Sequence, residues 1–308
     1  IMRSIKDYLV IGAKGMAMGM ADVVPGVSGG TIAFISGIYE ELISSIKSID
    51  HKAVKVLLTQ GPMAFLKHIN AFFLMAVFAG IAISVVSLVK LIHYLLENHA
   101  ILLWSFFFGL IVASAITVGQ KVTKWSAGSI ISLLAGAVIA YFITVATPAE
   151  TPESWWFIIL SGSIAICAMI LPGISGSFIL LLLKKYKFIT GAIKDFDLVT
   201  IALFGIGAIV GLISFSHVLS WLFKKYHNQT IAVLTGFMIG SLNVVWPWKI
   251  VLETRINSKG IEEPFRYESV LPTNFEGESF VIGAIALAIV GFGLIILLEK
   301  VSNKKQVS

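Results

Sequence analysis

The chain has 308 residues, of which 57% are hydrophobic and only 13% are charged, and its mean hydropathy is +0.92. This composition excludes a soluble globular protein and predicts a polytopic membrane protein. The formal net charge of +6 is modest, and in a membrane protein it indicates basic cytoplasmic loops rather than nucleic-acid binding. The single cysteine, Cys167, excludes a disulfide framework.

Two related motifs lie within strongly apolar sequence: DVVPGVSGGT at residues 22–31 and ILPGISGS at residues 170–177. In each, the proline removes a backbone donor and disfavours helical angles in the preceding residue, and the next glycine permits a sharp turn. Ser28 and Ser175 then stand at the N-cap position of a new apolar helix. Each motif therefore predicts a helix broken at mid-membrane depth. A simple proline kink is the alternative.

Taken in order, the chain predicts two helical hairpins and six straight spans. The first hairpin covers residues 8–46, in which Lys14 and Asp22 argue against a cleaved signal peptide. The second covers residues 155–193. Within it, residues 155–183 have no charged side chain, and this run is too long for one span and too short for two of ~20 residues each. A re-entrant hairpin fits this length, and two full crossings are the alternative. The straight spans are expected at about 71–92, 101–119, 127–147, 198–223, 230–247 and 279–298.

The two halves of the chain resemble each other. Gly80–Leu103 aligns with Gly207–Thr230, and the two motifs align at a slightly larger offset, so the first half has extra residues, which we expect in the basic stretch from Lys47 to Lys67. Residues 1–147 and 148–308 are therefore predicted to be repeats, each with one hairpin and three spans. Since three is odd, the second repeat must be inverted. The predicted fold is an all-α polytopic membrane protein of two inverted repeats.

The distribution of charge predicts the orientation. Basic loops place the N- and C-termini in the cytoplasm, and the acidic loops, including the linker 249–278, outside it. This linker is either an ordered cap or a loose loop. Lys184, Lys185 and Lys187 fall on the outer side against the trend, so either this cluster is functional or the topology differs there. The expected location is the bacterial cytoplasmic membrane.

The breaks predict an anion-binding site. Irregular backbone at membrane depth must be buried in protein or line a wet cavity. The start of a helix there presents unpaired N–H donors and about half a positive charge, which suits phosphate or carboxylate. The residues expected to form this site are Pro25, Gly26, Ser28, Gly29, Gly30, Thr31, Pro172, Gly173, Ser175, Gly176 and Ser177.

Three ionisable side chains are candidates for the same site. Helix dipoles contribute only about 0.3–2 kcal/mol each, so a fixed cation should help to dehydrate a phosphate. Lys14 is the best-placed cation, and the alternative is that it snorkels to the surface. Asp22 either relays a proton or caps freed amides, and Glu40 either contacts substrate or is solvated. No metal-ligand spacing, nucleotide loop or nucleophile–base set is found, so no metal, cofactor or catalytic residue is expected.

The residues at both breaks resemble a known family. Lys14-Gly15, residues 19–31 and Gly37-Ile38-Tyr39-Glu40 closely resemble one signature of the bacterial polyprenyl-phosphate transporters (the PopT family, formerly a domain of unknown function), and residues 167–178 match the other. The resemblance covers nearly the whole chain. It implies recycling of undecaprenyl phosphate from the outer to the inner leaflet for cell-wall synthesis. One departure is Lys184-Lys185, where a glycine-containing turn is expected before Tyr186.

The functional hypothesis is translocation of a phosphate-headed lipid by alternating exposure of a midplane site, with the tail in a groove open to the bilayer. A small-anion channel or exchanger is an alternative, since paired helix N-termini also suit halides. Polyprenyl-pyrophosphate phosphatases resemble the chain in plan, but they carry an arginine after the motif serine, where this chain has Gly29 and Gly176. Membrane lipids are expected partners, and proton or ion coupling and homo-oligomerisation are compatible with the sequence.

Overall fold

The structure is a computed structural model that describes residues 3–24, 27–146, 148–149, 151–256 and 262–304. Apart from one β-hairpin, the regular structure of these residues is helical, as predicted. The first half contains α1 (Ile5–Val23), α2 (Gly29–Ile35), α3 (Tyr39–Lys47), α4 (His51–Gln60), α5 (Pro62–His68), α6 (Ala71–Asn98), α7 (Ala100–Gly119) and α8 (Ala127–Val145). The second half contains α9 (Trp155–Ile170), α10 (Gly176–Leu182), α11 (Tyr186–Lys194), α12 (Leu198–Lys225), α13 (His227–Gly240), β1 (Lys249–Ile256), β2 (Glu262–Ser269) and α14 (Val281–Lys304).

Five helices of the described residues are long and apolar enough to cross a membrane: α6, α7, α8, α12 and α14. They correspond to five of the six predicted straight spans. The sixth, expected at 230–247, differs, because α13 ends at Gly240 and only a 3₁₀ turn, Ser241–Asn243, continues it. Pro247, which lacks an amide and restricts the residue before it, disfavours helix at the end of the predicted span. The indoles of Trp246 and Trp248 instead donate to the carbonyls of Val270 and Ser279, each at 2.8 Å.

Both motifs break their helices as predicted. The first break separates α1, which ends at Val23, from α2, which begins at Gly29, and the second separates α9 from α10. α2 packs back along α1, and α10 packs back along α9. We call α1–α2 the first broken helix and α9–α10 the second. The alternative of a proline kink in a continuous helix is thereby excluded.

Three helices of the first half match three of the second half in length and in order. α2 and α10 have 7 residues each, α3 and α11 have 9, and α6 and α12 have 28. The halves differ where α4 and α5 join α3 to α6, because only residues 195–197 join α11 to α12. The extra residues of the first half therefore form α4 and α5.

The long helices pair in two ways. Within each half, α1 packs on α6 and α9 packs on α12. These contacts are close and equivalent, since Gly80 lies against the carbonyl of Gly12, and Gly207 lies against that of Ile159. Between the halves, α7 pairs with α14 and α8 pairs with α13. Each half thus provides two helices, α7 and α8 or α13 and α14, to a bundle that both halves share. The two broken helices lie beside this bundle.

The linker 249–278 contains an antiparallel β-hairpin in its described residues, with Lys249 paired to Ser269 at its base. The Lys249 ammonium donates to the Val244 carbonyl and lies 4.5 Å from the centre of the Trp104 ring. Burial lowers the pKa of Lys249 to about 8. These contacts and the Trp246 and Trp248 bonds favour the ordered cap over the loose loop.

The departure from the family pattern at Lys184 has a clear structural counterpart. Gly37, in the turn between α2 and α3, has φ of +73°, and Lys184, at the equivalent turn between α10 and α11, has φ of +51°. Lys184 therefore adopts the left-handed conformation that favours glycine. The neighbouring Lys185 is buried: its ammonium donates to the Thr151 carbonyl at 2.9 Å and lies between the rings of Phe157 and Phe188.

Candidate anion-binding site

The start of α2 is already occupied by groups of the protein itself. The Gly29 amide donates to the Asp22 carboxylate at 2.7 Å, and the Gly30 amide donates to the Ser28 hydroxyl at 3.1 Å. The Thr31 amide donates to the Ser28 carbonyl at 3.0 Å. The first amides of this helix thus have acceptors, and Asp22 stands where an anion was expected. Of the two roles considered for Asp22, capping is the one that this conformation shows.

The two breaks meet each other. The Ser28 hydroxyl lies 3.1 Å from the carbonyl oxygens of both Met169 and Leu171, at the end of α9, and donates to them. In return, the Gly173 amide donates to the Thr31 hydroxyl at 3.1 Å. Ser28 and Thr31 are 1% and 0% exposed, so these bonds are dry. The negative end of α9 therefore faces the positive end of α2, which stabilises both.

Glycine makes this approach feasible. Gly30 packs directly against the Ile170 carbonyl, at a distance that leaves no room for a Cβ. Gly173 has φ of +85° and lies against two groups: the Phe237 carbonyl in α13 and the Ser241 hydroxyl, just after α13. The second break is therefore held between α2 on one side and the end of α13 on the other.

The start of α10 is less fully satisfied than the start of α2. Ser175 is its N-cap residue but makes no side-chain capping bond, and its hydroxyl pairs with the Ser177 hydroxyl at 2.8 Å. The first amides of α10, at Gly176 and Ser177, lack the acceptors that Gly29 and Gly30 have in α2. These two amides, and the one hydroxyl of the Ser175–Ser177 pair that does not donate to the other, form a compact set of donors.

The sequence contains the reason for this asymmetry. The motifs align at an offset of 147 residues, so the position equivalent to Asp22 is Met169. A methionine thioether is at best a weak acceptor and cannot replace a carboxylate at an amide. Met169 was not among the residues that we expected to matter, although a residue-by-residue comparison of the two motifs identifies it.

Lys14 and Glu40 lie away from the meeting point of the breaks. The Lys14 ammonium donates to the Ser36 carbonyl at 2.6 Å, at the C-terminal end of α2, roughly 10 Å along that helix from Ser28. The Glu40 carboxylate is largely exposed and lies 3.8 Å from the His227 imidazole. Asp22, Ser28, Gly29, Gly30, Thr31, Pro172, Gly173, Ser175, Gly176 and Ser177 lie at the two breaks; Pro25 and Gly26 are outside the described residues.

A polar network fixes the base of the first broken helix. The Arg3 guanidinium makes a bidentate pair with Glu41, with both distances 2.7 Å, and Asn70 donates to Glu41 at 2.8 Å and to Ser45 at 3.1 Å. These bonds connect the start of α1, α3 and the start of α6. Sequence reasoning missed this network, because its members are far apart in the chain.

A polytopic bundle that holds two broken helices tip to tip has the architecture of a membrane transporter. Related sequences point to the same class of protein. Residues 18–263 match the VCA0040-like, undecaprenyl phosphate translocase-like family model, and the chain belongs to this family. A protein of Vibrio cholerae serotype O1 named polyprenyl-phosphate transporter is 45% identical over 97% of this chain and 98% of its own. One of the same name from Staphylococcus aureus is 32% identical over 76% and 84%, respectively. No solved structure matches the chain.

Proposed function

We propose that this protein translocates polyprenyl phosphate, the lipid named for both relatives, across the bacterial cytoplasmic membrane. The transported lipid would be undecaprenyl phosphate, carried from the outer to the inner leaflet for reuse in cell-wall synthesis. The observation that carries this proposal is the meeting of the two broken helices through Ser28, Thr31 and Gly173. An isolated helix break would give one weak dipole, whereas a joint of two breaks gives a defined polar point inside an apolar bundle.

The phosphate would bind at the start of α10. The Gly176 and Ser177 amides and one hydroxyl of the Ser175–Ser177 pair are donors only a few residues apart, and no carboxylate stands at position 169. The equivalent amides of α2 are engaged by Asp22 and Ser28. This asymmetry supports one phosphate per transport cycle rather than two equivalent sites.

Asp22 would act as the internal competitor of the phosphate. When the head group approaches α2, its oxygens and the Asp22 carboxylate cannot share the Gly29 amide, because two anions in a dry site repel each other. Protonation of Asp22 would remove the repulsion, which gives a route for proton coupling. Lys14 and Glu40, at the other end of the same hairpin, would meet the head group on its way to the leaflet.

Alternating access would come from two inverted repeats, residues 1–147 and 148–308, with re-entrant hairpins. The matching helix lengths and the pairing of α7 with α14 and α8 with α13 support a two-fold arrangement. The separation of the breaks would open the site to one leaflet at a time. The short α2 and α10, of 7 residues each, are too short to complete a crossing by themselves.

The lipid tail would stay in apolar surroundings. An apolar cleft of about 410 Å³ lies between α7 and α13 and is lined by Val112, Ile116, Ile239 and Leu242 among others. Phe237 and Ser241, which pack on Gly173, lie on the opposite face of α13 and the turn that continues it. A tail in this cleft would therefore be separated from the second break by the thickness of α13.

The proposed orientation has both termini in the cytoplasm. The positive-inside tendency supports it, with the exception of Lys184, Lys185 and Lys187. Of these three lysines, Lys184 and Lys187 are exposed. Since Lys185 is buried against Phe157 and Phe188, it serves local packing rather than marking the side of the membrane. Cysteine labelling at Lys124 and Glu276, which lie in loops proposed for opposite sides, would test the orientation.

The test of function is transport by the purified protein in proteoliposomes. Polyprenyl phosphate is placed in one leaflet, and its appearance in the other is followed with a membrane-impermeant phosphate-binding probe. We expect polyprenyl phosphate to move between the leaflets only when the protein is present, and without a requirement for added inorganic phosphate. Chloride or phosphate flux in liposomes free of polyprenyl lipid would instead identify an anion channel, and release of phosphate from the pyrophosphate lipid would identify an enzyme.

A further inference from the structure

The segment that distinguishes the two halves has a surface that no part of the described chain covers. We call α4 and α5, residues 51–68, the α4–α5 arm. α4 packs on α5, and α5 packs on the beginning of α6. Ala53 is buried, whereas the side chains of Val54, Leu57 and Leu58 are exposed, Leu58 to 80%.

The exposed apolar residues form a stripe. Val54, Leu57 and Leu58 are spaced i, i+3 and i+4, which places them on one face of α4, and Met63 of α5 is also exposed. Four large apolar side chains on an 18-residue segment in water would be unfavourable. The stripe therefore requires an apolar environment outside the chain.

The charges of the arm select that environment. Lys52, Lys55 and Lys67 are exposed, and residues 51–68 contain no aspartate or glutamate. Asp50, just before the arm, is engaged as the N-cap of α4 and accepts from the amides of Lys52 and Ala53. On the helical wheel, Lys55 lies next to Leu58 at the edge of the apolar stripe, and Lys52 lies on the opposite, polar face, so both ammonium groups can reach head groups above the stripe.

The position of the arm fixes its height in the membrane. The arm ends at His68, and the apolar window of α6 begins at Ala71. The arm therefore lies at the mouth of a span, at the boundary between acyl chains and head groups.

We propose that the α4–α5 arm lies in the interface of the bilayer and binds anionic phospholipid, with its apolar stripe among the acyl chains and its lysines on the head groups. A basic amphipathic segment with a high apolar content on one face has the chemistry for this surface. A second protein or a second copy of the chain are the competing occupants, and the experiment separates them.

Cys167 is the single cysteine of the chain, so Cys167→Ala provides a cysteine-free background. In that background, Leu58→Cys and Thr59→Cys carry the same spin label on the stripe and on the polar face. In vesicles of phosphatidylcholine with phosphatidylglycerol, we expect the label at 58 to be accessible to a lipid-soluble relaxing agent and the label at 59 to a water-soluble one. A label at 58 that is exposed to water would overturn the proposal. So would one shielded from both agents, since it would indicate a protein partner.

The anionic part is tested separately. Lys52→Gln/Lys55→Gln should lower the ratio of phosphatidylglycerol to phosphatidylcholine retained by the purified protein about fivefold per lysine, whereas Lys124→Gln, in the exposed loop after α7, should not. An unchanged ratio would exclude anionic selectivity. Neither measurement includes polyprenyl lipid, so its outcome is independent of the proposed transport function.

Discussion

The Asp22 carboxylate accepts the Gly29 amide at 2.7 Å, so the anion at the start of α2 belongs to the protein. This single bond links the end of α1 to the beginning of α2 across the break. It satisfies an amide that would otherwise be unpaired inside an apolar bundle. The first amides of α10 have no such acceptor.

Asp22→Asn should separate binding from transport. Asparagine keeps a side-chain oxygen for the Gly29 amide, so the protein should fold with a loss of about 1–2 kcal/mol from the weaker, uncharged bond. Without the negative charge, the variant should bind polyprenyl phosphate at least as tightly as the parent. It should not transport the lipid, because asparagine has no proton to release. Proteoliposome transport and equilibrium binding measure the two quantities. Asp195→Asn, at an exposed carboxylate after α11, is the matched control. Normal transport by Asp22→Asn would remove Asp22 from the mechanism.

Met169→Asp should close the proposed phosphate site. A carboxylate at position 169 would accept the first amides of α10, as Asp22 does at α2, and would repel the phosphate. We expect affinity for polyprenyl phosphate to fall at least about tenfold, or ~1.4 kcal/mol. Met169→Leu, which keeps the volume without the charge, should bind normally. Equal binding by both variants would place the head group elsewhere.

The local chemistry of the motifs made much of this site predictable. Proline and glycine act on the backbone within a residue or two, so the breaks at Val23–Gly29 and Ile170–Gly176 follow from sequence alone. Long apolar runs likewise predict α6, α7, α8, α12 and α14, because their lengths match a bilayer.

What could not be predicted depends on contacts between distant residues. Apolar composition suggested a span at 230–247, but α13 ends at Gly240, and Trp246 and Trp248 instead donate to the carbonyls of Val270 and Ser279, more than 20 residues further along the chain. Lys14 was expected to help dehydrate the phosphate as the best-placed cation, whereas α2 folds back along α1 and brings Ser36, rather than Ser28, to its ammonium. The direction in which α2 runs after the break decides which residue Lys14 contacts, and no local sequence pattern encodes that direction.

Gly30→Ala should separate the two breaks. The added Cβ would overlap the Ile170 carbonyl, which is backbone and cannot rotate away. We expect the free energy of unfolding to fall by about 1–3 kcal/mol, with loss of transport. Gly205→Ala is the control: in α12, nothing lies within 4 Å of the added carbon, and alanine should stabilise the helix by about 0.5–1 kcal/mol. Opposite signs in unfolding experiments in detergent are the expected result, and a harmless Gly30→Ala would show that the joint is loose.

The turn at Lys184 provides a test of backbone strain that is free of side-chain effects. Lys184→Gly and Lys184→Ala both remove the lysine side chain and its contacts, so their difference reports the left-handed backbone at φ of +51°. Glycine tolerates this conformation, whereas alanine keeps the clash of its Cβ with the carbonyl, so Lys184→Gly should be more stable by about 1–2 kcal/mol. In an ordinary helix, the order would be reversed. Gly37→Ala, at φ of +73° in the equivalent turn of the first half, should lose a similar amount. If Lys184→Ala were the more stable of the pair, the turn between α10 and α11 would have a right-handed conformation, and its equivalence to the Gly37 turn would be lost.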